Sequence, residues 1–595
     1  MDKRTIIGIV LIILITLMMP FYQRWISGDR QLPPDSLTTR DTSLPKKVPL
    51  TDSIPSVGPE TEPVVAEPKG EMPATDLPVQ MAEQEKTIIL ENEVVSMVWS
   101  NDRGANPISW KLKNYKHYSG DLVDLIDDNA LKINFLNVDG KEFNLNNYRL
   151  FADYKSGERV VLNAGNPEYE IKFYLPLKDG RLVKTLHFYY DRYSFDIIIS
   201  FENLHNLIIN RRYFLGWENG LRSTEENIND DLNYSRAYLY MAEELVNVDA
   251  SEKYGEKDFN GRVDWVAVRT KYFLVSLIPK DAGRTNGASI GGIKSQINGH
   301  FEKQYQLTID SKYQPIPSYS DTFKVYLGPL DYYVLKEYGA NLQTLVMNRD
   351  WYERLFRPIS LAIIPTFKFL YRFIPNYGLV IIVFSILIKI LLHPLTKKSY
   401  KSMSEMQFLQ PKMTELREKY KNDPQRMNSE LMKLYKEHGV NPLGGCLPML
   451  LQMPVLFALF IVFRSTIQLR NQPFMLWIND LSTPDALPLG FSLPLFGNTI
   501  HVLPILMGLT MIWQSKSSMT DPKQKLMIYF IPIFMIFIFY SLPSGLNLYY
   551  AVFNIISMAQ TYYIKKKMHP GGLPQTATAT TSSQLSKGES SKKKK

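Results

Sequence analysis

The stretch Tyr377-Gly-Leu-Val-Ile-Ile-Val-Phe-Ser385-Ile-Leu-Ile-Lys389-Ile-Leu-Leu392 decides the architecture of this chain, because it is apolar throughout except for one ammonium and carries no acid. Such a run reads as a membrane-spanning helix, slightly short of the roughly 20 residues a lone span prefers. Ser385, Lys389 and His393 follow at i, i+4 and i+8, so a helix aligns them on one face. A cation in hydrocarbon costs about 3 kcal/mol on insertion scales, so Lys389 either faces protein or water or snorkels toward the interface.

Toward the C-terminus, further apolar spans read at about 446–463, 500–515, 526–542 and 546–564. The last carries Asn547, Tyr550, Asn554, Ser557 and Thr561, which advance by three, four, three and four residues along one face. Thr510 and Gln514 add a third polar pair. Several helices with one polar face each imply a shared hydrated interior, although the Tyr550 stripe also reads as hydrogen-bonding glue between helices. The spans from Tyr377 onward contain no Asp or Glu, which removes the usual coupling site of an ion-driven transporter.

Charge in the loops orients the spans. Ten Lys and Arg lie between His393 and Pro442, whereas 467–499 holds only Arg470, so the first loop is expected in the cytoplasm. Within it, Met406, Leu409, Met413, Leu416 and Tyr420, and then Met427, Leu431, Leu434 and His438, recur at helical spacing. Asp423 and Pro424 supply a helix cap and first-turn residue between the two runs, which predicts a helical hairpin over 397–438. It reads as a spacer between spans or as an arm that meets cytosolic partners.

Upstream, 350–375 alternates apolar Tyr352, Leu355, Phe356, Ile359, Ile363 and Leu370 with Arg354, Arg357, Lys368 and Arg372, the pattern of an amphipathic helix in the membrane interface. Residues 86–345 read as an all-β domain, a two-sheet sandwich. There Phe195, Ile197, Ile199 and Phe201 alternate with Asp196 and Ser200, and Asn101–Asn106 and Asp281–Gly292 read as turn-rich spacers. The Pro- and acid-rich segment 28–85 is a tether. The apolar run in 1–27 follows Lys3 and Arg4 and lacks a small-x-small cleavage site, which favours an uncleaved transmembrane anchor over a signal peptide. With it the chain has about six transmembrane helices, N- and C-termini in the cytoplasm, the β domain on the opposite side, and a basic cytoplasmic tail at 568–595.

The net charge of +9 is explained by these loops, so nucleic acid is not expected as a specific ligand. One cysteine, Cys446, and eight histidines without metal-ligand spacing argue against a metal site, and the absence of phosphate-binding fingerprints argues against a nucleotide, so no cofactor is expected. The pattern Gly287-Ala-Ser289-Ile-Gly291 formally matches a nucleophile elbow, but it lacks the strand before and helix after that the motif requires.

The run Asn441-Pro-Leu-Gly-Gly-Cys446-Leu-Pro-Met-Leu-Leu-Gln452-Met-Pro454, with His393-Pro-Leu-Thr396, Leu409-Gln-Pro-Lys412 and Pro543-Ser-Gly-Leu-Asn-Leu-Tyr549-Tyr550, resembles the YidC insertases. The resemblance implies a five-helix insertase core with a cytoplasmic hairpin, a periplasmic β-supersandwich, and a hydrophilic groove closed toward the periplasm. It implies no enzyme activity. It places substrate contacts at Ser385 and Tyr550, joined in the groove by Lys389, Tyr549, Asn547, Asn554, Gln452, Thr510 and Gln514. The family's groove arginine is Lys389 here, which keeps the charge but loses the guanidinium fork. Expected partners are nascent membrane proteins, the Sec translocon, membrane lipids, and the ribosome through the hairpin and basic tail. An ion channel or transporter, and a membrane-tethered carbohydrate-binding module or enzyme, are the rival readings.

Overall fold

A computed structural model describes residues 81–568, apart from 127–129, 178–179, 298–299, 349–350, 441–446, 494–496 and 519–524. The expected anchor, nearly all of the tether and all but the first residue of the tail lie outside the described residues.

β-Branched and aromatic alternation builds the first half. The strand Ser194–Glu202 lies inside a nine-stranded sheet, antiparallel to Gly180–Tyr189 on one side and Ser318–Pro329 on the other. Its inward residues Phe195, Ile197, Ile199 and Phe201 are fully buried, as period-two patterning requires. Phe195 packs on Trp99 and Trp110 of a five-stranded sheet, with centroids 5.2 and 5.6 Å apart, while Phe201 packs 5.1 Å from Tyr213 of a six-stranded sheet. One face of the large sheet is therefore covered by two smaller ones. The expected two-sheet sandwich is thus two layers deep but built from three sheets, the start of this strand meeting the five-stranded sheet through Phe195 and its end the six-stranded one through Phe201.

The expected spacer Asp281–Gly292 is corrected: only Ala282–Arg284 forms a turn of 3-10 helix, and Thr285–Ile297 is a strand paired with Gly255–Asn260 and His300–Lys312. The glycines that suggested a turn serve close approach instead. A Cβ on Gly287 would lie 2.1 Å from the carbonyl oxygen of Phe259, and one on Gly292 would lie 2.6 Å from the Tyr305 ring. Ser289 accordingly sits in mid-strand, not on an elbow.

Two short helices, α1 (Ile228–Tyr234) and α2 (Tyr332–Glu337), belong to the β domain. The amphipathic helix α3 spans Trp351–Tyr371. Its apolar residues divide between two faces: Tyr352, Ile363 and Phe367 are buried, with Ser360 donating to the Ala458 carbonyl, while Trp351, Leu355, Ile359 and Phe369 are exposed.

Helix α4 runs from Tyr377 to Phe408, so the first span and the start of the loop form one continuous helix that passes through Pro394. The hairpin proper is therefore α5 (Gln410–Lys419) and α6 (Pro424–Glu437), packed on Leu409, Met413, Leu431, Leu434 and Val440. The Asp423 side chain accepts from the Arg426 amide, the cap that its position predicts.

Four helices follow: α7 (Leu447–Ser465), α8 (Val502–Ser518), α9 (Lys525–Phe539) and α10 (Ser544–Met568). A β-hairpin of Leu487–Leu493 and Gly497–Ile500 precedes α8, so residues 500–501 of the expected span are not helical. Tyr377–Pro394 is long and apolar enough to cross a membrane, and shorter apolar helical segments run over Gln452–Ser465 and Ile528–Phe539. Helix α10 packs against both α4 and α8, α8 against α9, and α7 against α3.

Candidate functional site

Because α10 lies between α4 and α8, its polar stripe meets those of both neighbours. Lys389 on α4 donates from Nζ to Ser557 Oγ at 2.7 Å, and its ammonium sits 4.2 Å from the centroid of the Phe553 ring. The Ser557 hydroxyl proton is committed to the Phe553 carbonyl at 2.7 Å, so this oxygen offers Lys389 only lone pairs. On the other flank Asn554 Nδ2 donates to Thr510 Oγ1 at 3.3 Å. The three stripes converge on one seam.

The seam changes character along its length. Ser385 is fully buried and its hydroxyl donates to the Ile381 carbonyl of its own helix. Lys389 is 5% exposed, and His393, one turn further, is exposed with its ring against the Gln560 amide. Solvent thus approaches from the hairpin side. At the opposite end Asn547 is buried and its amide donates to the Phe539 and Leu542 carbonyls, closing the turn between α9 and α10.

The remaining expected residues are placed less uniformly. Tyr550 is half-buried on the stripe, its ring 5.3 Å from Phe539. Tyr549 is buried four residues before Phe553 and packs 5.7 Å from its ring, on the side of α10 that carries Phe553 and Ser557. Gln452 on α7 and Gln514 on α8 are both half-buried. Phe553, whose ring receives the cation, is apolar and so stands outside the polar pattern, although its place four residues before Ser557 fixes it on the same face. Among the described residues no group of three or more His, Cys, Asp or Glu is placed to hold a metal ion.

This arrangement offers a cation, hydroxyls, amides and aromatic faces, and the Ser557 hydroxyl beside Lys389 sends its proton to the Phe553 carbonyl and accepts from the ammonium, so the pair is not set as nucleophile and base. It suits reversible binding of a polar or acidic segment rather than covalent chemistry.

Comparison with known proteins gives a consistent result. Residues 369–571 match the family described as 60Kd inner membrane protein, and residues 87–359 match the YidC periplasmic domain. A Prosthecochloris aestuarii protein named membrane protein insertase YidC is 37% identical over 590 residues, covering 96% of each chain. One of the same name from Chlorobium limicola is 36% identical over 596 residues, covering 97% of each. Among solved structures, an active YidC insertase with its first transmembrane domain resolved aligns at 19% identity and a TM-score of 0.34, over 82% of this chain and 95% of that one.

Proposed function

The chain belongs to the YidC family of membrane protein insertases, inner-membrane proteins with a periplasmic domain that are not enzymes, and we propose that it receives its substrates along the seam between α4, α8 and α10. Lys389 attracts the acidic or polar end of a nascent segment, exchanging its bond with Ser557 for one to the segment, as Asn554 and Thr510 exchange theirs with each other. The observation that carries this reading is the buried ammonium of Lys389 facing Ser557 on the α10 stripe. A buried cation is costly, and a position that must pair transiently with a substrate gives that cost a purpose.

The mechanism is physical. A polar path part-way through the bilayer shortens the hydrocarbon that a substrate's polar end must cross, lowering a desolvation barrier of several kcal/mol. The apolar segment then partitions into lipid, and that partitioning, aided for acidic ends by the membrane potential, drives the step.

In the membrane the core takes five spans from α4, α7, α8, α9 and α10, and the N-terminal anchor makes six. Both termini, the α5–α6 hairpin and the basic tail lie in the cytoplasm, where hairpin and tail meet the ribosome, and the insertase works alone or beside the Sec translocon. The ten basic residues of the 393–442 loop support this orientation, as does Arg470, which bonds to the β domain from the opposite loop. The exposed apolar face of α3 supports its lying in the lipid interface.

A photo-crosslinker at Tyr550 or Ser385 is expected to capture a ribosome-stalled nascent membrane protein. Adducts confined to lipid or to neighbouring helices would refute the seam as the receiving site.

A further inference from the structure

Arg470 follows a turn of 3-10 helix, Ile467–Leu469, in the loop between α7 and α8, and its whole fork is spent on the β domain. Nε donates to Glu225 Oε1 at 2.7 Å, Nη1 to the Lys116 carbonyl at 2.6 Å and Nη2 to the Thr224 carbonyl at 3.1 Å. The guanidinium is buried beside the rings of Tyr272 and Phe273. The neighbouring Asn471 also donates to the Lys116 carbonyl, and Gln468 to Asp331. A second clamp forms at the end of α7, where Arg464 reaches Asp230 at 3.2 Å and Lys271 reaches the same carboxylate at 2.7 Å. Burial pushes the Asp230 carboxyl up, but Lys271 and Arg464 outweigh burial and bring it down to about 2, so it is charged under ordinary conditions.

The other face of this loop holds the near ends of the three seam helices. Phe474 fills the space that a Cβ on Gly378 would occupy at the start of α4. Asp485 Oδ2 accepts from the Val502 and Leu503 amides at 2.7 and 3.0 Å, capping α8 from a distance in sequence. The Thr483 and Leu481 carbonyls accept from the Ser544 and Gly545 amides at 2.7 and 3.0 Å, at the start of α10. Ile467, Leu469, Ile478 and Leu481 are buried between them.

We propose that the β domain braces the extracytoplasmic closure of the seam: Glu225, Thr224 and Lys116 hold Arg470, and through it the loop that ties together the ends of α4, α8 and α10. Arg470 is a positioning residue, distant from the substrate path. Its geometric demand is for a fork, since three acceptors lie around one plane and an ammonium on a flexible stem satisfies them incompletely. The inference rests on the membrane orientation given above.

The test uses the full chain in sealed membranes with Cys446→Ser and a reporter, Ser385→Cys, which is a near-isosteric change about 12 Å along α4 from its start. A membrane-impermeant maleimide is added from the extracytoplasmic side. With Arg470 intact the reporter stays protected. Arg470→Ala raises its labelling at least about fivefold from that side only, Arg470→Lys falls between, and Glu225→Ala reproduces the effect where Arg470→Ala does not accumulate. Unchanged protection in both alanine variants overturns the brace, as does a rise from both sides, which signals general loosening. A separate His393→Cys reporter labels only from the cytoplasmic side; labelling from outside would overturn the orientation and the brace with it.

Discussion

Lys389→Glu is expected to cut the insertion of acidic-tailed substrates at least about tenfold, a loss of roughly 1.4 kcal/mol or more. A carboxylate at this position loses the ammonium's bond to Ser557 Oγ and its attraction to the Phe553 ring, and meets the electron-rich face of that ring instead. It also repels the substrate's acidic end. Lys389→Arg keeps the charge, can donate to Ser557 and can stack on Phe553, so it retains near-normal insertion. The comparison is made at equal membrane abundance of the variants. Normal insertion by the glutamate variant would remove the electrostatic role from Lys389.

Lys184→Met is expected to destabilise the β domain by about 2–4 kcal/mol near pH 10. The Lys184 amine is buried in the strand Gly180–Tyr189 and donates to the Gly104 and Ala105 carbonyls at 2.9 and 2.8 Å. It thereby ties down a turn in which Arg103, Gly104 and Ala105 all have positive φ, and methionine leaves both carbonyls unpaired. Burial pushes the Lys184 amine down to about 7 from its ordinary 10.5. Between those values the unfolded chain carries the proton and the folded chain does not, so native stability rises with pH by about 1.4 kcal/mol per unit. The methionine variant lacks this slope. Three units at that slope amount to about 4 kcal/mol, so the stability gap, read by pulse proteolysis across denaturant, is widest near pH 10, has closed or reversed by pH 7 and is flat below it. A gap that widens toward acid would contradict the assignment.

How far the sequence reveals this molecule depends on the range of the interaction involved. Local signals read through: the Asp423 cap, the hydrophobic spacing of the hairpin and the alternation around Phe195 each depend on neighbours within a turn or a strand. The polar stripes were legible too, since a helix fixes which residues share a face. What one stripe faces is a tertiary fact, so the pairings of Lys389 with Ser557 and Thr510 with Asn554 required the fold. Arg470 shows the limit most plainly. Its place as the lone cation of its loop indicated topology, but its partner Glu225 lies 245 residues away. The strand Thr285–Ile297 misled for a physical reason, because glycine allows both a tight turn and a close backbone approach.

If substrates enter between α4 and α10, those helices must part at the end where His393 meets Gln560. The direct measurement places His393→Cys and Gln560→Cys in a Cys446→Ser background, joins them with a short bifunctional thiosulfonate, and follows insertion before bridging, after it and after reduction. Insertion should stop with the bridge and return on reduction. Undiminished insertion through a fully bridged protein would contradict a receiving seam between these helices.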